Sequence, residues 1–171
     1  METWQAMTPA EALEVVQSEF QRDETLHQEA VSTVCHALDQ SAFTDLFNEE
    51  VSRKRLACEK GDVVTLEVEV PILTQVADQN FHGVIDRMVL RKSAGKTIAA
   101  ELIDFKTDSV ATNAADLLVS YQEQMDRYRQ AVHHGWGIPL KNIQLRLAHV
   151  NSGTVCDIEL STESEPQGQE G

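Results

Sequence analysis

Apolar residues at Leu26, Ala30, Val31, Val34, Ala37 and Leu38 recur three or four positions apart and predict a helix. Upstream, Thr8-Pro9-Ala10-Glu11 has the form of a capping box with proline at the first helical position, which predicts a helix to about Arg22. A short third helix is predicted over Phe43 to Phe47. At Gly61-Asp62 the period changes. Val63 to Val70 is rich in β-branched residues and reads as a strand ending at Pro71. Phe81 to Leu90 and Ile98 to Phe105 read as two more strands, joined by a turn around Ser93-Ala94-Gly95. Ala114 to His134 is a long amphipathic helix stopped by Gly135, Gly137 and Pro139. Ile143 to Val150 and Thr154 to Leu160 form a closing hairpin over Asn151-Ser152-Gly153.

Helices, three strands, a helix and two strands predict an α/β fold with a central mixed β-sheet flanked by helices. The third and fourth strands are separated by a helix long enough to cross over and run parallel. Residues 1–160 read as a single domain, with 1–50 as a helical segment and 62–160 as an α/β core. The Ser, Glu, Gln and Gly content of 161–171 predicts a disordered acidic tail.

Chemistry-bearing side chains fall at particular places on these strands. Glu69 lies near the end of the first, Asp86 within the second, and Asp104 and Lys106 at the end of the third. Asp104 and Lys106 are two apart on a strand, so both leave the same face of the sheet. Their neighbours Leu102, Ile103 and Phe105 are apolar, so the strand reads as buried. Burial of a carboxylate and an ammonium there is costly unless they pair or hold a metal. Oxygen ligands from two or three carboxylates suit magnesium or manganese, and a nearby lysine suits hydrolysis by orienting water or steadying charge on a phosphate. A plain Asp–Lys ion pair at a sheet end is the alternative that these residues alone leave open.

The net charge of −14 argues against tight binding of nucleic acid, but it is unevenly placed. Residues 1–50 hold eleven acids against Arg22, and 147–171 hold five acids and no base, whereas 51–146 carry thirteen bases and twelve acids. The middle of the chain can therefore face a phosphate backbone. No apolar run reaches the roughly 18–20 residues of a membrane span, and the first residues lack a secretory pattern, so a cytoplasmic location is expected. Cys35, Cys58 and Cys156 match no zinc or redox spacing and read as buried small hydrophobes; an iron–sulfur cluster, with its four thiolates, is not expected.

Four words occur in order along the chain: "EVPI" (Glu69 to Ile72), "GVIDRM" (Gly83 to Met88), "ELIDFKT" (Glu101 to Thr107) and "YQEQMDRY" (Tyr121 to Tyr128). With the hairpin "IQLRLAHVNSGTVCDIEL" that follows, they resemble the PD-(D/E)xK nuclease domain of RecB and AddA proteins. There it forms the C-terminal nuclease domain of UvrD-family helicase-nucleases. The resemblance spans about residues 30–160. It implies a restriction-endonuclease-like core and a magnesium- or manganese-dependent deoxyribonuclease, an exonuclease acting in bacterial DNA repair or recombination. Asp86 and Asp104 would be metal ligands with the carbonyl of Phe105, Lys106 would act on the attacking water, and Glu69 would complete the acidic cluster. Gln124 and Tyr128 match a Q-x-x-x-Y helix motif that contacts substrate, and their i, i+4 spacing places both on one helical face. Gly83 would permit close backbone approach, with a β-bulge as its plainer reading.

The expected partners are DNA and a helicase, either in cis or as a separate subunit, and no membrane. Two features depart from the resemblance. The family's upstream motif with glycine and histidine is missing, and no phosphate-binding loop of a motor is present, which points to a piece of a longer protein or to a stand-alone nuclease that relies on a partner. A catalytically idle nuclease fold used for DNA binding or assembly is the second functional reading, and an acidic adaptor the third. His82, His133, His134 and the Arg53-Lys54-Arg55 run read as surface features, whereas Arg127 and Arg129 are candidate DNA contacts.

Overall fold

The computed structural model describes residues 24–76, 79–107 and 114–159, together with Glu14. Among the described residues from Glu24 onward three helices come first: α1 (Glu24–Leu38), α2 (Ser41–Thr44), running into a 3-10 turn (Asp45–Phe47), and α3 (Glu49–Arg55). Three strands follow, β1 (Val63–Val76), β2 (Gln79–Ser93) and β3 (Lys96–Lys106). Then come α4 (Ala114–Trp136), a 3-10 turn (Leu140–Asn142), β4 (Ile143–His149) and β5 (Thr154–Ile158). The strand order is β1-β2-β3-β4-β5; β3 and β4 run parallel across the α4 crossover and every other pair is antiparallel. This is the α/β architecture with a mixed sheet and flanking helices that the sequence predicts, and it is compatible with a restriction-endonuclease-like core.

Even-numbered β3 residues face α4. Ala100 and Leu102 pack there with Leu145, Leu147, Leu117, Met125 and Val132 in the main core. Odd-numbered residues face α1–α3: Ile103 joins Ala37, Phe43, Leu46 and Ala148, while Ala99 joins Leu56 and Val89. The sheet is covered on both faces, which explains why β3 reads as nearly continuous apolar sequence.

Several elements differ from expectation for identifiable reasons. β1 does not end at Pro71 but continues to Val76, with Pro71 opposite Val84. It is an edge strand, and there a missing N–H can face outward at no cost to the ladder. Helix α3 was not predicted. It is capped by Asn48 Oδ1, which accepts from Glu50 N (2.9 Å) and Val51 N (3.4 Å). Acids in its first turn and bases in its last complement the helix dipole. The turn at Ala94-Gly95 has positive φ at both residues (48° and 79°), the conformation that suits a two-residue hairpin. Gly83 sits in regular pairing with Ile72, so it marks no bulge. The three cysteines are free and only half-buried, and burial raises the thiol pKa of Cys58 and Cys156. Of the predicted helix to Arg22 only Glu14 is described, and it is helical; its other residues and the tail 161–171 lie outside the described residues.

The Arg53-Lys54-Arg55 run is not a simple solvated stretch. Arg53 donates to the carbonyl of Asp62 (3.0 Å), and Arg55 Nε donates to Glu101 Oε1 (2.7 Å). Glu101 is fully buried on the α1–α3 face of β3, where Ser52 Oγ also donates to it (3.0 Å) and Arg146 Nη1 stands 3.5 Å away. Asp157 closes the group from β5, 2.7 Å from Arg55 and 3.3 Å from Arg146. The buried carboxylate thus ties α3 to β3, β4 and β5. Removing it strands two cations in a low-dielectric setting. Glu101→Ala is therefore expected to lower the unfolding free energy by about 3 kcal/mol in urea denaturation; a loss below about 1 kcal/mol would show that Asp157 alone satisfies both arginines.

Candidate active site

The α4 face of β3 carries Ala100 and Leu102 into the core and then, at its C-terminal end, Asp104 and Lys106. The same alternation that buries the leucine buries the carboxylate. Asp104 is 3% exposed. Lys106 Nζ lies 2.6 Å from Asp104 Oδ2, an ion contact whose geometry falls outside that of a hydrogen bond. Lys106 Nζ donates instead to Gln124 Oε1 (3.0 Å) and stands 4.4 Å above the Tyr121 ring. Gln124 Nε2 in turn donates to the Tyr128 hydroxyl (2.9 Å). The helical face of Gln124 and Tyr128 is thus turned to the lysine, as the i, i+4 spacing requires.

Tyr128 reaches this position because Gly83 has no side chain. A Cβ at residue 83 would lie 2.7 Å from Tyr128 Cε1, closer than such atoms come. Phe81 packs against the same tyrosine with ring centroids 5.7 Å apart. The expected close approach at Gly83 is therefore made by α4.

Asp86 comes from β2, just where its ladder with β3 ends at the pair Arg87–Ile103. Its Oδ2 accepts the backbone N–H of Phe105 at 2.7 Å, so the carboxylate bridges the opening between the two strands. The Phe105 side chain leaves by the other face and packs with Phe43 and Phe47, at 5.9 and 6.1 Å between centroids. Arg87 lies over the Phe47 ring (5.1 Å). The aromatic group anchors the residue whose backbone meets Asp86.

Glu69 lies across from Asp86 in the β1–β2 register. It is exposed, with φ at 50°, and interrupts the pairing between Val68–Arg87 and Val70–Ile85. The left-handed conformation costs a non-glycine residue about 1–2 kcal/mol. Among the described residues no group of three or more His, Cys, Asp or Glu is placed to hold a metal ion.

The electrostatics of Asp104 are set by burial, which raises its pKa above the usual carboxylate value; the Lys106 ammonium pulls it down and the Asp86 charge pushes it up. Two carboxylates and the Phe105 backbone form a donor set of hard oxygens. Such a set fits magnesium, which is commonly held by one or two carboxylates, with water and substrate phosphate filling its octahedron. A cation here would relieve the burial penalty and the repulsion together.

Other candidates stand apart. His82 is exposed, and His133 Nδ1 is 2.7 Å from the Ile138 carbonyl at the end of α4. Arg127 pairs with Glu123 (2.6 Å) and lies 5.7 Å from the Phe81 ring, on the surface beside the site. Arg129 is buried, 3.5 Å from Asp126, and is not placed to meet DNA. Tyr121 was not singled out from sequence, although it lies one helical turn before Gln124 and so on the same face. His149 was missed too; the alternation of Leu145, Leu147 and His149 was the available sign.

Asp104 provides a test through pH. Its folded-state pKa lies above the unfolded value, so the native chain holds the proton more tightly. Stability therefore falls as pH rises from the ordinary carboxylate range through the raised value, and the full penalty is present above it. Asp104→Asn cannot ionise. Its stability relative to the parent should rise across that window and then level off in urea melts from acid to neutral pH. Parallel curves would contradict the assigned environment.

No protein-family model matches the chain, and no curated protein matches it. Among solved structures it is similar to an XisH family protein from Nostoc punctiforme PCC 73102, at 13% identity, with 75% of this chain and 97% of that chain covered and a TM-score of 0.29. A likeness at that level carries nothing about activity.

Proposed function

We propose that the chain is a metal-dependent deoxyribonuclease domain of the PD-(D/E)xK type, RecB-like, working with a helicase in cis or in trans. The observation that carries this reading is one arrangement: a buried Asp104 paired with a half-buried Lys106, Asp86 fixed beside them on the Phe105 amide, and the Lys106–Gln124–Tyr128 chain. A structural ion pair explains the first element. It does not explain a second carboxylate, Asp86, fixed beside the pair on the Phe105 amide.

Asp86, Asp104 and the Phe105 carbonyl would hold magnesium or manganese, which when bound supplies an acidified water and neutralises phosphate charge. Asp86 is kept in place by the Phe105 amide, so a ligand is oriented before substrate arrives. Lys106, with its ammonium oriented by Gln124 and walled by Tyr121, directs a positive charge at the attacking water or at the phosphate oxygens as negative charge develops. Tyr128 holds Gln124 through its hydroxyl, and thus acts one step behind the lysine.

Dependence on a partner follows from charge. Of the bases in the middle of the chain, Arg53, Arg55, Arg91 and Arg146 are engaged with internal partners. With a net charge of −14 besides, affinity for DNA should come chiefly from an attached helicase.

Cleavage of labelled DNA with and without magnesium is the direct experiment. Asp104→Ala is expected to lose metal-dependent cleavage and magnesium affinity while remaining folded. Lys106→Ala should keep magnesium affinity in calorimetry and lose kcat by on the order of 100-fold. A Lys106→Ala protein with the parent's kcat would make the lysine an ion-pair partner only.

A further inference from the structure

His149 is the last residue of β4, and the parallel register sets it opposite Lys106. Strands of a sheet lie about 4.8 Å apart, so residues in register on one face are immediate neighbours. The face is fixed by alternation: Ile143, Leu145 and Leu147 join the α4 core, and Ala148 joins the opposite one. His149 therefore leaves the sheet on the side of Asp104 and Lys106. It is 3% exposed, a deep position for an imidazole at a strand end.

The ring is tied to the following turn. Ser152 Oγ lies 2.9 Å from Thr154 Oγ1 and 2.8 Å from His149 Nδ1, so the ring is hydrogen-bonded into the turn. The same turn grips the end of β3 by its backbone. Val150 N donates to the Lys106 carbonyl (2.8 Å), and Asn151 Nδ2 donates to the Thr107 carbonyl (2.6 Å). Two consecutive residues of the β4–β5 connection thus converge on Lys106 and the residue after it. Glycine at 153, with φ at 65°, lets the chain reverse so closely after them.

We infer that His149 is a positioning residue for Lys106: it closes the side of the lysine's seat that neither β3 nor α4 supplies. Asp104 lies on the lysine's own strand, Gln124 and Tyr121 come from α4, and β4 contributes His149. A lysine stem with four rotatable bonds needs enclosure on each side to hold its ammonium in one place. The catalytic consequence rests on the nuclease reading; the positioning itself does not.

The experiment reads both in the full chain. NMR relaxation of the lysine side chains measures how ordered Lys106 is, and steady-state cleavage measures kcat and KM. In His149→Ala, Lys106 should lose order until it resembles the exposed Lys54, Lys60 and Lys96, and kcat should fall by roughly 10- to 100-fold with KM little changed. His149→Asn keeps a hydrogen-bonding group close to the place of Nδ1 and should restore much of both. Asn142→Ala, which removes the bond to the Ile98 carbonyl at the far end of β4 (2.9 Å), should leave Lys106 order and kcat as they are. Should His149→Ala fail to fold, Ser152→Ala and Asn151→Ala release the same turn and should loosen Lys106 in the same sense. Unchanged Lys106 order in the folded variants overturns the inference. Order lost in a protein that never cleaves DNA upholds the positioning and overturns the nuclease reading instead.

Discussion

Burial of Asp104 is the constraint on which the rest of the structure turns. A carboxylate set among leucines on a central strand loses several kcal/mol of hydration, and only neighbouring charge or hydrogen bonds return it. Lys106 is the charge, and it is itself held by Gln124 and by the Tyr121 ring. α4 is thereby committed to one rotation over the sheet, with Gln124 and Tyr128 inward. Gly83 gives the tyrosine its room, and burial keeps the Asp104 pKa raised against the pull of the lysine, with the Asp86 charge a smaller push in the same direction.

β3 carries two buried carboxylates, and the contrast between them separates structure from function. Glu101 faces α3 and meets Arg55, Arg146 and the Ser52 hydroxyl. Its charge is matched within the protein, and it acts as a clamp. Asp104, three residues on and on the opposite face, meets one cation and a competing carboxylate. A fold gains nothing by facing two acids toward one another unless something positive belongs between them. On this physical ground the Asp86–Asp104 pair, rather than the better-satisfied Glu101 group, is the candidate centre.

Much of this was legible in the sequence because it depends on parity and period. The two-residue spacing of Asp104 and Lys106 gave their shared face, and the four-residue spacing of Gln124 and Tyr128 gave theirs. The long helix between β3 and β4 gave the parallel pair. What the sequence concealed depends on tertiary position. Pro71 reads as a stop unless the strand is known to lie on an edge. Arg55 reads as a solvated base unless the buried Glu101 opposite it is known. Glu69 sits in a strand pattern, yet it takes a positive φ and lies exposed where the pairing with Asp86 is interrupted. His149 looked like one more letter of a hairpin until the register set it against Lys106.

The central claim is that Asp86 and Asp104 hold a divalent cation between them. Diffraction from crystals soaked in manganese, recorded where the metal scatters anomalously, tests it most directly. The account predicts a peak roughly 2.0–2.3 Å from carboxylate oxygens of both Asp86 and Asp104 and from the Phe105 carbonyl. Manganese found only elsewhere on the acidic surface, with the two carboxylates unchanged, would contradict it.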